Sequence, residues 1–304
     1  MADFAGPCVL AVGIFDGLHL GHRRVLECAE KAARAEGALA GALTFDPHPS
    51  RVIPMGRPPV EMIYPPGLRA KHFLEAGLGA VFFKRFDRDF AALSPGGFAD
   101  FLREKFPALR GIVTGENFLF GRDAAGDCAA LRGICRKNGW KYRAVKGLFR
   151  DGERVSSTRL RRCLSEGDMP EYARLAGGSY VAEGKVEGGK RLGRKIGFPT
   201  LNLPWEPECR PPYGVYAARI WKGGRAFEGV ANYGVAPSAG GLARPVVEAN
   251  LFEPPGFGTG AEIRAEFLKF LRPERKFESL DALKAQIAED CAAASGFFAK
   301  SRGA

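Results

Sequence analysis

The sequence predicts an α/β, Rossmann-like domain over residues 1–175 and a mainly β, antiparallel barrel domain with a C-terminal helix over residues 176–304. Three observations predict it. Short apolar runs alternate with helical patterns up to about residue 150. Glycine then becomes frequent, and short alternating runs replace the helices. Between the two lies a helical stretch over residues 158–175, which serves as a linker.

Residues 9–14 are apolar and few enough for a buried strand, and Val25, Leu26, Ala29, Ala32 and Ala33 then recur at helical spacing. Residues 39–45, 80–83 and 111–114 are further short buried strands with helical stretches between them. This is the order of an open parallel sheet, whose ligands gather at the carboxyl ends of the strands. After the linker, residues 215–220, 246–252 and 263–270 predict antiparallel strands. A last amphipathic helix is expected over residues 279–292, with Ser279 as N-cap and Leu280, Leu283, Ile287 and Cys291 on one face.

The chain of 304 residues is long enough for two domains, and 46% hydrophobic with 26% charged residues is a soluble globular composition. No apolar run is long enough to span a bilayer, and Met1-Ala2-Asp3-Phe4 lacks the basic-then-apolar order of a secretory signal, so a cytoplasmic protein is expected. The seven cysteines are odd in number and form no Cys-x-x-Cys pair, which argues against a disulfide framework or a zinc site. A net charge of +11 admits an anionic partner: nucleic acid, a membrane surface or a nucleotide. The densest basic stretch, with Lys190, Arg191 and Arg194, is interrupted by glycines, unlike a nucleic-acid-binding tail. Small-molecule partners are therefore expected, with no nucleic acid, no membrane and at most a weak homo-oligomer.

The segment Gly13-Ile14-Phe15-Asp16-Gly17-Leu18-His19-Leu20-Gly21-His22 places two of the four histidines beside glycines, between a predicted strand and a predicted helix. Free N–H groups and the positive dipole end favour a phosphate there, and Gly17 and Gly21 let the backbone approach it. Imidazoles can donate to phosphate oxygens whose charge grows as a phosphoanhydride bond breaks. Metal binding by the two histidines is the weaker reading, because no Cys or carboxylate cluster completes a first shell nearby. Ser156-Ser157-Thr158-Arg159-Leu160-Arg161 is a second phosphate grip, or a simple N-cap. Taken alone, Asn117 fits a turn, His48 a proline-bracketed loop and His72 a surface helix. Residues 184–190 mimic a Walker A loop, but Arg191 replaces the required Ser or Thr and no helix pattern follows, which excludes it.

In order along the chain, the Gly13–His22 segment, Thr44-Phe45-Asp46-Pro47-His48-Pro49, Gly115-Glu116-Asn117-Phe118 with Phe120-Gly121, and Ser156-Ser157-Thr158 resemble the adenylyltransferase domain of the bacterial bifunctional riboflavin kinase/FAD synthetase family. Residues 184–203 resemble the riboflavin kinase module of the same family. The resemblance implies a nucleotidyltransferase domain in which the FMN phosphate attacks the α-phosphate of ATP and displaces pyrophosphate. That nucleophile is already ionised, so the site needs positioning and charge neutralisation more than a base. On this resemblance His19, His22 and Asn117 are catalytic, and Gly13, Phe15, Asp16, Gly21, Ser156, Ser157, Thr158, Arg159 and Arg161 hold ATP.

In the kinase module the resemblance implies ATP contacts from Gly184, Gly189, Gly193 and Arg194, and Mg²⁺ contacts from Thr200 and Asn202. Glu248 would act as base or orienting acceptor for the ribityl 5′-hydroxyl of riboflavin, which must lose a proton. The implied cofactor is Mg²⁺, with ATP as co-substrate and riboflavin, FMN and FAD as substrate and products. Departures from the family pattern fall at Ala124, where an Arg is common with Arg122 close by, at Gly188, a histidine position, and at Ala236 and Ser238 in a flavin-side loop. The expected function is conversion of riboflavin to FMN and of FMN to FAD. The alternatives are adenylyl transfer alone with a degenerate kinase site, and a non-catalytic basic RNA-binding protein.

Overall fold

The computed structural model describes residues 3–54, 56, 58–189, 193, 196–237 and 243–302. The chain forms two compact units, Met1–Arg159 and Leu160–Ala304.

In the first unit the elements run β1 (Cys8–Val12), α1 (Leu20–Ala35), β2 (Leu39–Asp46), α2 (Pro66–Glu75), β3 (Ala80–Arg85), α3 (Arg88–Ala91), α4 (Pro95–Lys105), β4 (Leu109–Gly115), α5 (Cys128–Lys137) and β5 (Lys141–Val145). A hairpin, β6 (Phe149–Arg150) and β7 (Glu153–Arg154), follows. The five long strands form one parallel sheet in the order β3-β2-β1-β4-β5. All five residues of β1 are buried, because successive side chains serve opposite faces. Cys8, Leu10 and Val12 join Leu43, Leu102 and Ile112 in one core, while Val9 and Ala11 join Leu26, Ala29 and Phe73 in the other. The chain winds one way from β1 to β2 and the other way to β4, so the crevice between β1 and β4 is a topological switch point.

The stretch expected as one linker helix is two: α6 (Ser157–Glu166) and α7 (Met169–Ala176). Gly167 breaks it with a left-handed φ of 75°, and Asp168 starts α7 by accepting the backbone N–H of Glu171.

The second unit continues with β8 (Tyr180–Lys185), β9 (Thr200–Pro204), β10 (Gly214–Lys222), β11 (Arg225–Pro237), β12 (Ala243–Leu251), β13 (Glu262–Pro273) and α8 (Leu280–Arg302). The six strands form an antiparallel sheet in the order β8-β13-β10-β11-β12-β9. Gly223-Gly224, both at positive φ, make the tight β10–β11 hairpin. The sheet curls until its edges meet, with Glu187 N–H just beyond β8 donating to the Asn202 carbonyl of β9 at 2.8 Å. Buried aromatics fill the inside, among them Tyr180, Tyr216, Tyr233 and Phe267.

Helix α8 covers Val215, Ala217 and Val230 with Ala294 and Phe298. Its Ser279 cap is as expected, accepting the N–H of Ala282, but its buried stripe differs. Leu280 is exposed, while Gln286 and Asp290 are drawn inward. Arg272 of β13 donates to both Asp290 carboxylate oxygens at 2.8 and 2.7 Å, and Gln286 donates to one of them. A charged contact is therefore buried beside the predicted face, on which Leu283, Ile287 and Cys291 are half-buried.

Two candidate active sites

The first site is built on the turn from β1 into α1. Phe15 and Leu18 adopt positive φ of 55° and 36° around Gly17 at 74°, a backbone that side-chain-bearing residues occupy only when their surroundings hold them there. The holders are identifiable. Thr44 Oγ1 donates to the Ile14 carbonyl, the buried Asp16 carboxylate accepts Ile63 N–H at 3.0 Å, and Ser157 Oγ donates to the Asp16 carbonyl at 2.8 Å. The serine motif and the histidine motif, 141 residues apart, thus meet at one turn.

His19 is the N-cap of α1: its Nδ1 accepts the His22 N–H at 3.2 Å, which puts the proton of a neutral ring on Nε2. The two imidazoles stack with centroids 3.6 Å apart, and Phe15 meets His22 edge-on. A Cβ at Gly21 would lie 3.0 Å from the His19 ring, so glycine there leaves the ring its place. Burial, then the nearby Arg154 charge, lowers the His19 pKa to about 4, and burial with His19 as neighbour takes His22 well below its ordinary value. Both rings are therefore neutral at pH 7, and His22 Nδ1 is buried with no hydrogen-bond partner among the described residues. The pair can donate from a neutral ring at a helix N-terminus, where the backbone already favours phosphate.

Asn117 is exposed beyond the end of β4, across the switch point from this turn, with Oδ1 folded over Gly115. Ser156 caps α6 by accepting the Arg159 N–H, and Thr158 is exposed. Arg159, expected to neutralise phosphate, is turned elsewhere. Its buried guanidinium donates to the Arg150 and Glu153 carbonyls and pairs with the carboxylates of Asp151 and Glu153 at 3.7 and 3.5 Å. This one side chain thereby supplies donors to the carbonyls on both strands of the β6–β7 hairpin. Arg161 is half-buried. The Ala124 position has a left-handed φ of 57° in a turn anchored by Arg122 N–H on the Leu93 carbonyl.

One participant of this site escaped the sequence reading. Arg69, a fully buried arginine of α2, donates to the carbonyls of Ile14 and Phe45 and to the Asp46 carboxylate. It ties the ends of β1 and β2 together beneath the turn.

In the second unit, strand register gathers the site. Asn202 of β9, Glu248 of β12 and Asn232 of β11 are direct cross-strand partners in one row, so their side chains share a face. Thr200 pairs with Asn250 in the next row of that face. Asn250 donates to the Pro199 carbonyl at 2.8 Å and accepts from the Cys291 thiol, which holds the Pro199-Thr200 segment against α8. Burial raises the Glu248 pKa, and the negative charge of Glu274 adds to the rise. Glu274, the other participant missed in the sequence, accepts from Asn232 Nδ2 at 3.1 Å.

Gly189 and Gly193 of the glycine-rich run lie beside this face. A Cβ on Gly189 would come 2.5 Å from Asn202 Nδ2, and one on Gly193 would collide with the Phe198 carbonyl. The Gly193 carbonyl accepts N–H groups from Ile196 and Phe198, closing a turn over the start of β9. Gly184 sits in β8 near Leu203. Gly188 has open space around it, so the departure there removes a side chain that would have had room. Ala236 pairs with Arg244 in the β11–β12 ladder. Arg194 and Ser238 lie outside the described residues.

Comparison with known proteins divides the chain in the same way. A family model for FAD synthetase matches residues 2–159, and one for riboflavin kinase matches residues 176–298. Proteins named bifunctional riboflavin kinase/FMN adenylyltransferase are similar over nearly the whole length. That of Escherichia coli K12 is 34% identical over 294 residues, covering 96% of this chain and 93% of that protein. That of Bacillus subtilis 168 is 32% identical over 300 residues, covering 97% and 93%. A solved structure described as a macrolide-efflux protein from Streptococcus pneumoniae superposes with a TM-score of 0.80 at 25% identity, covering 95% of this chain and 94% of that one. What the two share is the fold; no described helix of this chain is long and apolar enough to cross a membrane. On both matched halves and the near-complete coverage, the chain belongs to the bifunctional riboflavin kinase/FMN adenylyltransferase family.

Proposed function

We propose that residues 176–304 phosphorylate riboflavin to FMN and residues 1–175 adenylylate FMN to FAD, each with ATP. The observation that supports this reading is that each half carries its own cluster of polar side chains suited to phosphate transfer. One holds a neutral histidine pair at the N-terminus of α1, the other a half-buried carboxylate beside a Thr/Asn pair.

In adenylyl transfer the FMN phosphate attacks the α-phosphorus of ATP, and the bond to the β-phosphate oxygen breaks to release pyrophosphate. His19 Nε2–H and His22 donate to the oxygens on which charge accumulates, while the N–H groups of α1 and the serine motif hold the chain of phosphates. Neutral donors suit this task because they need not lose a proton to act. Asn117 orients substrate from the end of β4. Arg161 supplies positive charge, and Arg159 serves by fixing the hairpin behind the serine motif.

In the kinase reaction Glu248 takes the 5′-hydroxyl proton, and its raised pKa brings it closer to the range in which a carboxylate is an effective base. Thr200 and Asn202 offer hard, neutral oxygens. That donor set fits Mg²⁺: Thr200 and Asn202 would hold the ion, which would supply charge neutralisation to the phosphates of ATP. The glycine run with Gly184, Gly189, Gly193 and Arg194 covers ATP. The partners on this reading are riboflavin, FMN and ATP, met in the cytoplasm.

The test is to incubate the purified chain with riboflavin, ATP and Mg²⁺ and separate the flavins by chromatography. FMN is expected first, then FAD. Riboflavin returned unchanged, together with unchanged FMN when FMN is supplied, overturns both assignments.

A further inference from the structure

Glu274 follows the last residue of β13 and reaches past the start of β10 to β11, where its Oε1 accepts from Asn232 Nδ2 at 3.1 Å. An ionised carboxylate only accepts, so this contact settles which end of the Asn232 amide faces it. Asn232 is in turn the direct cross-strand neighbour of Glu248, at a Cβ separation of about 5 Å for such pairs. A second observation bears on the same carboxylate. Gly234 has no positive φ to require glycine, yet a Cβ there would overlap Glu274 Oε1 and lie 2.6 Å from its Cδ. The bare backbone at Gly234 is the space that the Glu274 carboxylate fills.

We propose that Glu274 is a positioning residue of the kinase site, holding the Asn232 amide beside Glu248 and so orienting Glu248 toward the ribityl 5′-hydroxyl. The proposal rests on the assignment of Glu248 as base. The hydroxyl proton passes to Glu248 as the oxygen bonds the γ-phosphorus of ATP, whose bond to the β-phosphate oxygen breaks to leave ADP. Around Glu248 the facing groups are neutral at Asn202 and Thr200 on β9 and at Asn232 on β11. On α8, Cys291 faces Asn250 and Asp290 is paired with Arg272. Glu274 supplies the unlike member of this set, a second negative charge.

Three variants of the full chain test this, with adenylylation of supplied FMN as the internal control for folding. Glu274→Gln keeps an acceptor for Asn232 and removes the charge. Because the acceptor is kept, its kcat is expected to stay within about threefold of wild type. Glu274→Ala removes the acceptor as well, and kcat is expected to fall roughly tenfold at every pH with little change in the KM for riboflavin. Gly234→Ala, which pushes the carboxylate away without touching it chemically, is expected to match Glu274→Ala. A kcat that falls as far in Glu274→Gln as in Glu274→Ala, or an unchanged kcat in Glu274→Ala and Gly234→Ala, overturns the positioning role. Glu248→Gln run alongside separates the two levels: if it keeps kinase activity, the base assignment falls and this proposal falls with it. If it is inactive while the other variants behave as wild type, this proposal alone falls.

Discussion

His19→Asn separates two roles that one ring performs. Asn is as good an N-cap as the imidazole it replaces, so α1 keeps its first turn while the titrating, Nε2-donating ring is removed. In the wild-type chain the His19 pKa lies at about 4, against 6.5 for an unburied histidine. A folded-state value below the unfolded one means that the unfolded chain binds the proton more readily between those limits. Stability is then complete above pH 6.5 and falls as the pH drops toward 4. The linkage relation gives a loss of about 2.5 kcal/mol between pH 7 and pH 4.5 from this one ring. The ring is buried, so solvent screening takes little from that figure. Hydrogen exchange of β1 and α1 amides, corrected for intrinsic rates, reads the opening free energy at the two pH values. His19→Asn should lose about 2.5 kcal/mol less than wild type over that interval, and its FAD formation should fall about a hundredfold for want of the donor. Equal pH dependence in the two proteins would refute the buried, neutral state of His19 from which the mechanism starts.

Two other substitutions probe the supports of the sites. Asp290→Ala strands the Arg272 guanidinium and the Gln286 amide under α8, and should destabilise the second unit by about 2 to 4 kcal/mol, read as faster exchange in α8 and β13; a change below about 0.5 kcal/mol would mean the pair is no anchor. Arg159→Met leaves the carbonyls of Arg150 and Glu153 without this donor and should loosen the β6–β7 hairpin in exchange, while the KM for ATP in adenylyl transfer stays within about threefold; a KM raised tenfold or more would return Arg159 to phosphate binding.

Four of the five parallel strands of the first unit are legible in the sequence because a strand covered on both faces is a short apolar run, as β1 is; the edge strand β5, with Lys141 and Arg143 exposed, is not. The histidine and serine motifs are legible for a different reason: glycines and hydroxyls are needed locally, at the turns that carry them. The hairpin at Phe149–Arg150 and Glu153–Arg154 is not, since its strands are two residues long and largely exposed, and what holds it is Arg159. Arg69 is hidden similarly, because an arginine in a helix reads as surface until the carbonyls of Ile14 and Phe45 are found around it. In the second unit Glu248 is visible on its motif, whereas its relation to Asn202, Asn232 and Glu274 depends on the register of three strands and the exit of a fourth. Register is a long-range property, fixed by which face of each strand is buried, and a linear reading has no access to it. The stripe on α8 shows the same limit in part: Leu283, Ile287 and Cys291 lie on the inward side as the spacing predicts, while the burial of Gln286 and Asp290 beside them depends on Arg272 of β13.

The central claim is that one chain holds two separate phosphate-transfer sites acting in sequence. Steady-state assays of His22→Ala and Glu248→Gln, each given riboflavin and, separately, FMN, test it most directly. The account predicts that His22→Ala still makes FMN and loses FAD formation, while Glu248→Gln makes no FMN and still converts supplied FMN to FAD. Loss of both products in either variant, with the chain folded, would contradict it.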